Sequence, residues 1–442
     1  MFWLNWISGL VSVVCLVAIF LIISFGGPTK DWGDVSQALM WHQVRKYILL
    51  LDDKKHAKFW RPSYLLLCHD IGKHSLIDFC ERSKKGGLFL IGNVMVGDVF
   101  ALAQSCRNLR HKWVEQIRGS HIKALPKVTI APSTRLGYQF LMTSAGVGGL
   151  DFNTVVLPLD KASRASAMSL SFPPSSKNEV EDDNDESKEN PSNSDKSHTP
   201  RSHLKTLVGK LHADLDCDAD FMSTVQDALR LERNVLLAAN FKVAGLVANE
   251  PKSFIDVWLG TGTFLQRSND DHALKALTSE TTGALMLHIA FILNSNQKFC
   301  KESRLRVFKI LPSSLKHHRE TVEAELLESL RSFRISVHSA ECVVVSDTPS
   351  RDGPDTVGDN FSAMAGTNGR LYALAEKMHR MSSKQESCVV FASIQDVSSS
   401  SSRDVVDGGF FENLSVLSNE KAMPAMLFCE KGEQGKIIYE YI

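Results

Sequence analysis

From Met1 to Thr29 the chain carries no charged side chain, and this stretch limits what the rest can be. An α-helix rises about 1.5 Å per residue, so Phe2 to Phe25 is long enough to cross a hydrocarbon core about 30 Å thick. Trp3 and Trp6 stand at one end, where indole favours the headgroup region. Ser8, Gly9, Ser12 and Cys15 give one face of small side chains, which allows another helix to approach closely. Lys30, Arg45, Lys46, Lys54, Lys55, Lys58 and Arg61 all follow this stretch and no basic residue precedes it. The positive-inside rule then expects the C-terminal side in the cytosol. A cleaved signal peptide is the competing reading, but a basic n-region is missing and the apolar run is too long.

The remaining length bounds the architecture. With 442 residues the chain exceeds one ordinary core and suits two or three units. Lys+Arg and Asp+Glu are equal at 50 each, so bulk charge argues against nucleic acid as a partner. Nine cysteines, odd in number and scattered, form no C-x-x-C pair. That usage fits buried thiols in a reducing compartment, with no disulfide framework and no metal module.

Ala38, Trp41, Val44, Ile48 and Leu51 recur at steps of three and four, which expects an amphipathic helix capped by Asp34 or Ser36. Trp41, Val44 and Ile48 are the candidate dimer contacts on this connector. Pro62 ends it. Short apolar runs then alternate with helical segments. The strands expected are Ser63–Cys68, Leu88–Val94, Val128–Ile130, Thr154–Leu157, Asn234–Ala239, Phe254–Leu259, Leu305–Leu311, Glu341–Val345, Cys388–Ile394, Met426–Phe428 and Ile437–Ile442. Strand-helix alternation means parallel sheets with right-handed crossovers. The expected fold class is therefore α/β: a transmembrane helix over 1–29, an amphipathic connector over 30–61, and a tandem Rossmann-like cytosolic domain. Its halves are expected at 62–160 and 213–442, the second with a polar loop at 346–369. The acidic, Ser-rich stretch 161–212 between them cannot bury enough apolar area to offset chain entropy, so disorder is expected there. Thr199, before Pro200, is a candidate phosphorylation site whose charge would bias docking of the halves; an inert tether is the simpler reading.

Catalytic and cofactor motifs are sparse. His69-Asp70 in LLLCHDIGKH resembles the metal-binding pair of HD-type phosphohydrolases, with His42 upstream. That family carries its ligands on long helices, whereas this pair follows a short strand, and the downstream histidines are missing. Gly260–Phe264 (GTGTF) follows a strand, as a phosphate loop does, but lacks the remaining glycines and lysine. Ser144–Asn153 (SAGVGGLDFN) sits after a helix, where a C-terminal turn belongs. No G-x-S-x-G elbow is present. No catalytic, metal or cofactor residue is assigned, and an enzyme is not expected.

Three stretches carry a family resemblance: DVSQALMWHQVRKYILLLDDKKHAKFWRPSYLLL, KKGGLFLIGNVMVGD and GVGGLDFNTVVL. Together they resemble the start of the C-terminal domain of cation-chloride cotransporters (solute carrier family 12). The likeness is greatest to the cation-chloride cotransporter-interacting protein branch and to fungal vacuolar members. VQDALRLERNVLLAA, SFIDVW, RLRVFKIL and CVVFASI follow in the same order. The resemblance implies electroneutral symport of potassium and/or sodium with chloride through about twelve membrane helices. It also implies a homodimer, or a hetero-oligomer with a full-length transporter, in a plasma or vacuolar/endolysosomal membrane. The implied ion sites lie in a transport region with no counterpart here. One helix cannot enclose an ion path with its backbone satisfied, so transport by this chain alone is not expected. The expectation is a regulatory and assembly role. The alternatives are a membrane-anchored HD-type metal phosphohydrolase and a nucleotide-sensing module.

Overall fold

In a computed structural model the described residues are 6–26, 35–51, 60–68, 74–159, 218–241, 254–265, 281–296, 304–346, 369–383, 386–394, 409–419 and 423–431. The chain divides into two compact units, Met1–Asp52 and Asp53–Ile442.

The first unit contains α1 (Trp6–Gly26) and α2 (Val35–Leu50). In α1 the apolar side chains from Trp6 to Ile22 are exposed, and Ser12 Oγ donates to Ser8 O at 2.9 Å. Among the described residues no helix is long and apolar enough to cross a membrane. The span expected over Phe2–Phe25 therefore rests on the sequence. The connector is helical as expected, but its surface differs from one apolar stripe. Leu39, Met40, Tyr47, Leu49 and Leu50 are exposed together with Trp41 and Val44, so apolar surface wraps most of α2. Counting only the periodic positions hid this.

The second unit is built on one ten-stranded sheet. Its strands are β1 (Tyr64–Leu67), β2 (Phe89–Val96), β3 (Leu125–Ala131), β4 (Thr154–Pro158), β5 (Asn234–Ala239), β6 (Phe254–Leu259), β7 (Arg304–Pro312), β8 (Ser339–Val345), β9 (Ser387–Ser393) and β10 (Ala425–Glu430). The spatial order is β3-β2-β1-β4-β5-β10-β9-β6-β7-β8. Every neighbouring pair is parallel except β5·β10, which is antiparallel. Numbered within each half, the order 3-2-1-4-5 occurs twice, and the two copies meet edge to edge at their fifth strands. Each half has the strand order of a dinucleotide-fold sheet. The tandem expected from the rhythm is present, but as halves of a single sheet rather than two layers. β5, assigned from sequence to the second half, completes the first by pairing with β4 from Thr154↔Asn234 to Pro158↔Ala238.

The helices are α3 (His74–Ser83), α4 (Val99–Gly119), α5 (Thr134–Ser144), α6 (218–230), α7 (Thr261–Leu265), α8 (Thr281–Asn294), α9 (Arg319–Ser332), α10 (Gly369–Met381) and α11 (Phe410–Leu417). Asp98 caps α4, accepting from Phe100 N and Ala101 N, and Ser133 caps α5. The core residues of α3, α4, α8 and α9 join one apolar layer, and those of α5, α6, α10 and α11 join another. Both layers draw strands from both halves, as two-sided burial of a parallel sheet requires. That burial is why YLLL, NVLLAA and CVVFAS read as unbroken apolar runs.

Candidate functional site

The motifs behind the family resemblance converge at the N-terminal ends of β1, β2, β4 and β5. Asn153 lies just before β4. Its side chain accepts from Ser63 N at 3.0 Å and donates to Arg61 O at 2.8 Å. Its carbonyl accepts from Asn234 N at 2.9 Å, opening β5. Ser63 Oγ accepts from Leu88 N at 3.2 Å and Tyr64 N donates to Leu88 O at 2.8 Å, which ties in β2. Arg233 donates to Asp151 at 2.7 Å, donates to Phe152 O, and lies over the Phe152 ring at 4.7 Å. RPS, Leu88 just after KKGG, LDFN and RN are thus one hydrogen-bonded junction. It aligns four strands through the side chains of Ser63, Asp151, Asn153 and Arg233, which hold this end of the sheet together.

The opposite ends of the strands are where open α/β sheets bind ligands, at the point where strand order reverses. In the second half this lies between β6 and β9. Gly260 there has φ +86, and Thr261 is fully buried. Thr261 Oγ1 donates to Ser393 O at 2.7 Å, and Gly262 N donates to Ser393 Oγ at 3.0 Å. The amide that a phosphate would need is already committed, and α7 has only five residues. GTGTF therefore closes the strand end rather than cradling a ligand. His69 and Asp70, which follow β1 in sequence, lie outside the described residues, as does Thr199. Among the described residues no group of three or more His, Cys, Asp or Glu is placed to hold a metal.

Two buried polar arrangements escaped the sequence reading. Asp256, fully buried in β6, receives Arg306 Nε and Nη2 at 2.8 Å each and Ser387 Oγ at 2.6 Å. Arg306 also lies 4.0 Å from the Phe254 ring centroid. The signal was a lone acid inside FIDVWL; its partner is fifty residues away, on β7. His288 lies on α8, which is buried nearly all round, with its ring edge-on to Trp60 at 5.1 Å. Burial, and then the nearby Arg61 and Lys85 charges, push its pKa down to about 4. Among the described residues Cys68, Cys80, Cys342, Cys388 and Cys429 are buried free thiols as expected, whereas Cys15 is exposed and Cys106 half-buried. Burial, and next Glu323, push Cys342 up to about 11, which keeps it unreactive.

The candidate dimer residues share one face of α2. Trp41 is 75% exposed, Val44 is exposed and Ile48 is partly exposed. An apolar helix surface of this breadth belongs against another apolar surface.

Sequence relatives now define the class: the chain resembles the cation-chloride cotransporters of solute carrier family 12. It is 33% identical over 278 residues to solute carrier family 12 member 9 of Xenopus laevis, covering 56% of this chain and 27% of that protein. It is 29% identical over 357 residues to vacuolar cation-chloride cotransporter 1 of Saccharomyces cerevisiae, covering 77% of this chain and 30% of that protein. The chain thus spans less than a third of either relative's length. No family model matches it. The cytoplasmic domain of a prokaryotic cation chloride cotransporter superposes with a TM-score of 0.43 at 12% identity, over 87% of this chain and 100% of that one. That superposition is too loose to define the fold.

Proposed function

We propose that this chain is the regulatory and assembly portion of an electroneutral cation-chloride symporter-like membrane protein. α1 anchors it in the bilayer, the second unit lies in the cytosol, and α2 joins two copies or pairs with a full-length transporter. Potassium or sodium and chloride are the ions of the whole protein, bound in a region with no counterpart in this chain. The likeness to named solute carriers and cotransporters supports the family. The single observation that carries the role is α2: a sixteen-residue helix with apolar side chains exposed around most of its circumference. Such a surface is stable in water only when covered.

Alkaline carbonate extraction of membranes carrying the full chain tests the anchor. Retention in the pellet, with the second unit cleaved by protease only from the cytosolic side, is expected. Release into the supernatant would remove the anchored reading.

A further inference from the structure

The turn Lys84–Gly87 and the segment Trp60–Ser63 are locked together. Lys85 and Gly86 both have positive φ, 44° and 86°, and Gly87 N closes the turn on Lys84 O at 2.8 Å. A Cβ on Gly87 would fall 2.0 Å from Pro62 O, so the two backbones touch. Tyr64 pairs with Phe89 in the strand register. Stepping back three places sets Arg61 beside Gly86, next to Lys85. Asn153 fixes the Arg61 carbonyl at 2.8 Å, and Arg61 Nη1 donates to Trp60 O at 2.9 Å. Lys85 is exposed and Arg61 partly so.

The acids nearby are already engaged. Asp78 holds Arg82 at 2.8 Å, and Glu81 holds Lys84 at 2.7 Å. Among the described residues no carboxylate pairs with Arg61 or Lys85. Both charges act on the buried His288, which stays neutral at pH 7 and offers them no compensation. Two cations that no described carboxylate pairs with, one on the turn and one on the segment locked against it, match a phosphate, which accepts several charge-assisted hydrogen bonds from arginine and lysine.

We propose that Arg61 and Lys85 form a binding site for a phosphate group, presented by an anionic phospholipid headgroup or by a free phosphate ester. Lys54, Lys55 and Lys58 immediately precede the site in sequence and favour the lipid source. That preference rests on the membrane-anchored reading above; the phosphate chemistry does not.

The test uses the full chain in neutral detergent. Its affinity is measured for mixed micelles containing phosphatidylinositol bisphosphate and for soluble inositol trisphosphate. Arg61→Gln with Lys85→Gln is expected to weaken binding by about fivefold for each charge removed and to flatten its salt dependence. The charge-preserving pair Arg61→Lys with Lys85→Arg is expected to keep most of it. Tighter native binding to the micelles than to inositol trisphosphate assigns the lipid source, and equal affinity for both assigns a free phosphate ester, with the double glutamine variant losing binding in either case. Unchanged affinity of the double glutamine variant for both probes, or no binding by the native chain, overturns the site. If the double variant loses its thermal transition, Lys85→Gln alone, at an exposed turn position, carries the comparison. A chain that carbonate extracts yet still binds inositol trisphosphate would sink the anchor and leave the site standing.

Discussion

At the scale of single residues, stability in this protein is held by buried polar groups with committed partners. His288 has a folded pKa near 4, against about 6.5 in an unfolded chain. The unfolded state therefore binds the proton first as pH falls. The stabilising contribution is fully present above about pH 6.5 and is lost by about pH 4, amounting to about 3 kcal/mol. His288→Phe, which keeps a ring against Trp60, is expected to flatten the acid limb of a melting-temperature profile between those values. An unchanged profile would mean another group sets the acid limit. Asp256→Ala leaves Arg306 buried without its carboxylate, and is expected to cost about 3–5 kcal/mol in thermal unfolding. A loss under about 1 kcal/mol would mean that solvent reaches the pair. Part of this was legible: an acid inside FIDVWL and an arginine inside RLRVF each break an apolar run. Their pairing was not, because hydrophobic periodicity carries no information about which strands become neighbours.

At the scale of elements, the strands were the readable part. β5 and β6 match their expected limits residue for residue, because strands buried on both faces stand out as short apolar runs between polar helices. α11 was missed because its eight residues span barely two turns. The loop Ser144–Asn153 was read correctly as a turn, with Gly148 at φ +55 and Val147 bridged to Leu150. What stayed hidden was that Asn153 reaches back to Arg61 and Ser63, a contact ninety residues long in sequence. Gly87→Ala tests that junction. A methyl group 2.0 Å from Pro62 O must push the turn away from β1. A loss of about 1–3 kcal/mol is expected, read as a lower melting temperature. Native-like stability would show that the turn and the Pro62 segment move independently.

At the scale of the whole molecule, the seam between β5 and β10 decides the architecture. Both apolar layers run across it, Phe221 meets Phe411 at 5.7 Å, and Asn240 Nδ2 donates to Ser418 O and Pro424 O at 2.7 and 3.1 Å. The halves are therefore expected to unfold together. Asn240→Ala removes both hydrogen bonds at a residue with φ +62. It is expected to lower the common transition by about 1–3 kcal/mol without splitting it. Two resolved transitions would show that the halves are independent.

The assembly claim rests on α2, and sedimentation of the full chain in detergent at tens of micromolar tests it most directly. A species of twice 49.1 kDa, after subtraction of bound detergent, is expected. Trp41→Asp with Val44→Asp should reduce it to one copy, since a charge on each side of the contact repels its counterpart and leaves both desolvated. A native chain that sediments as a single copy, or a dimer indifferent to both substitutions, would contradict assembly through the connector.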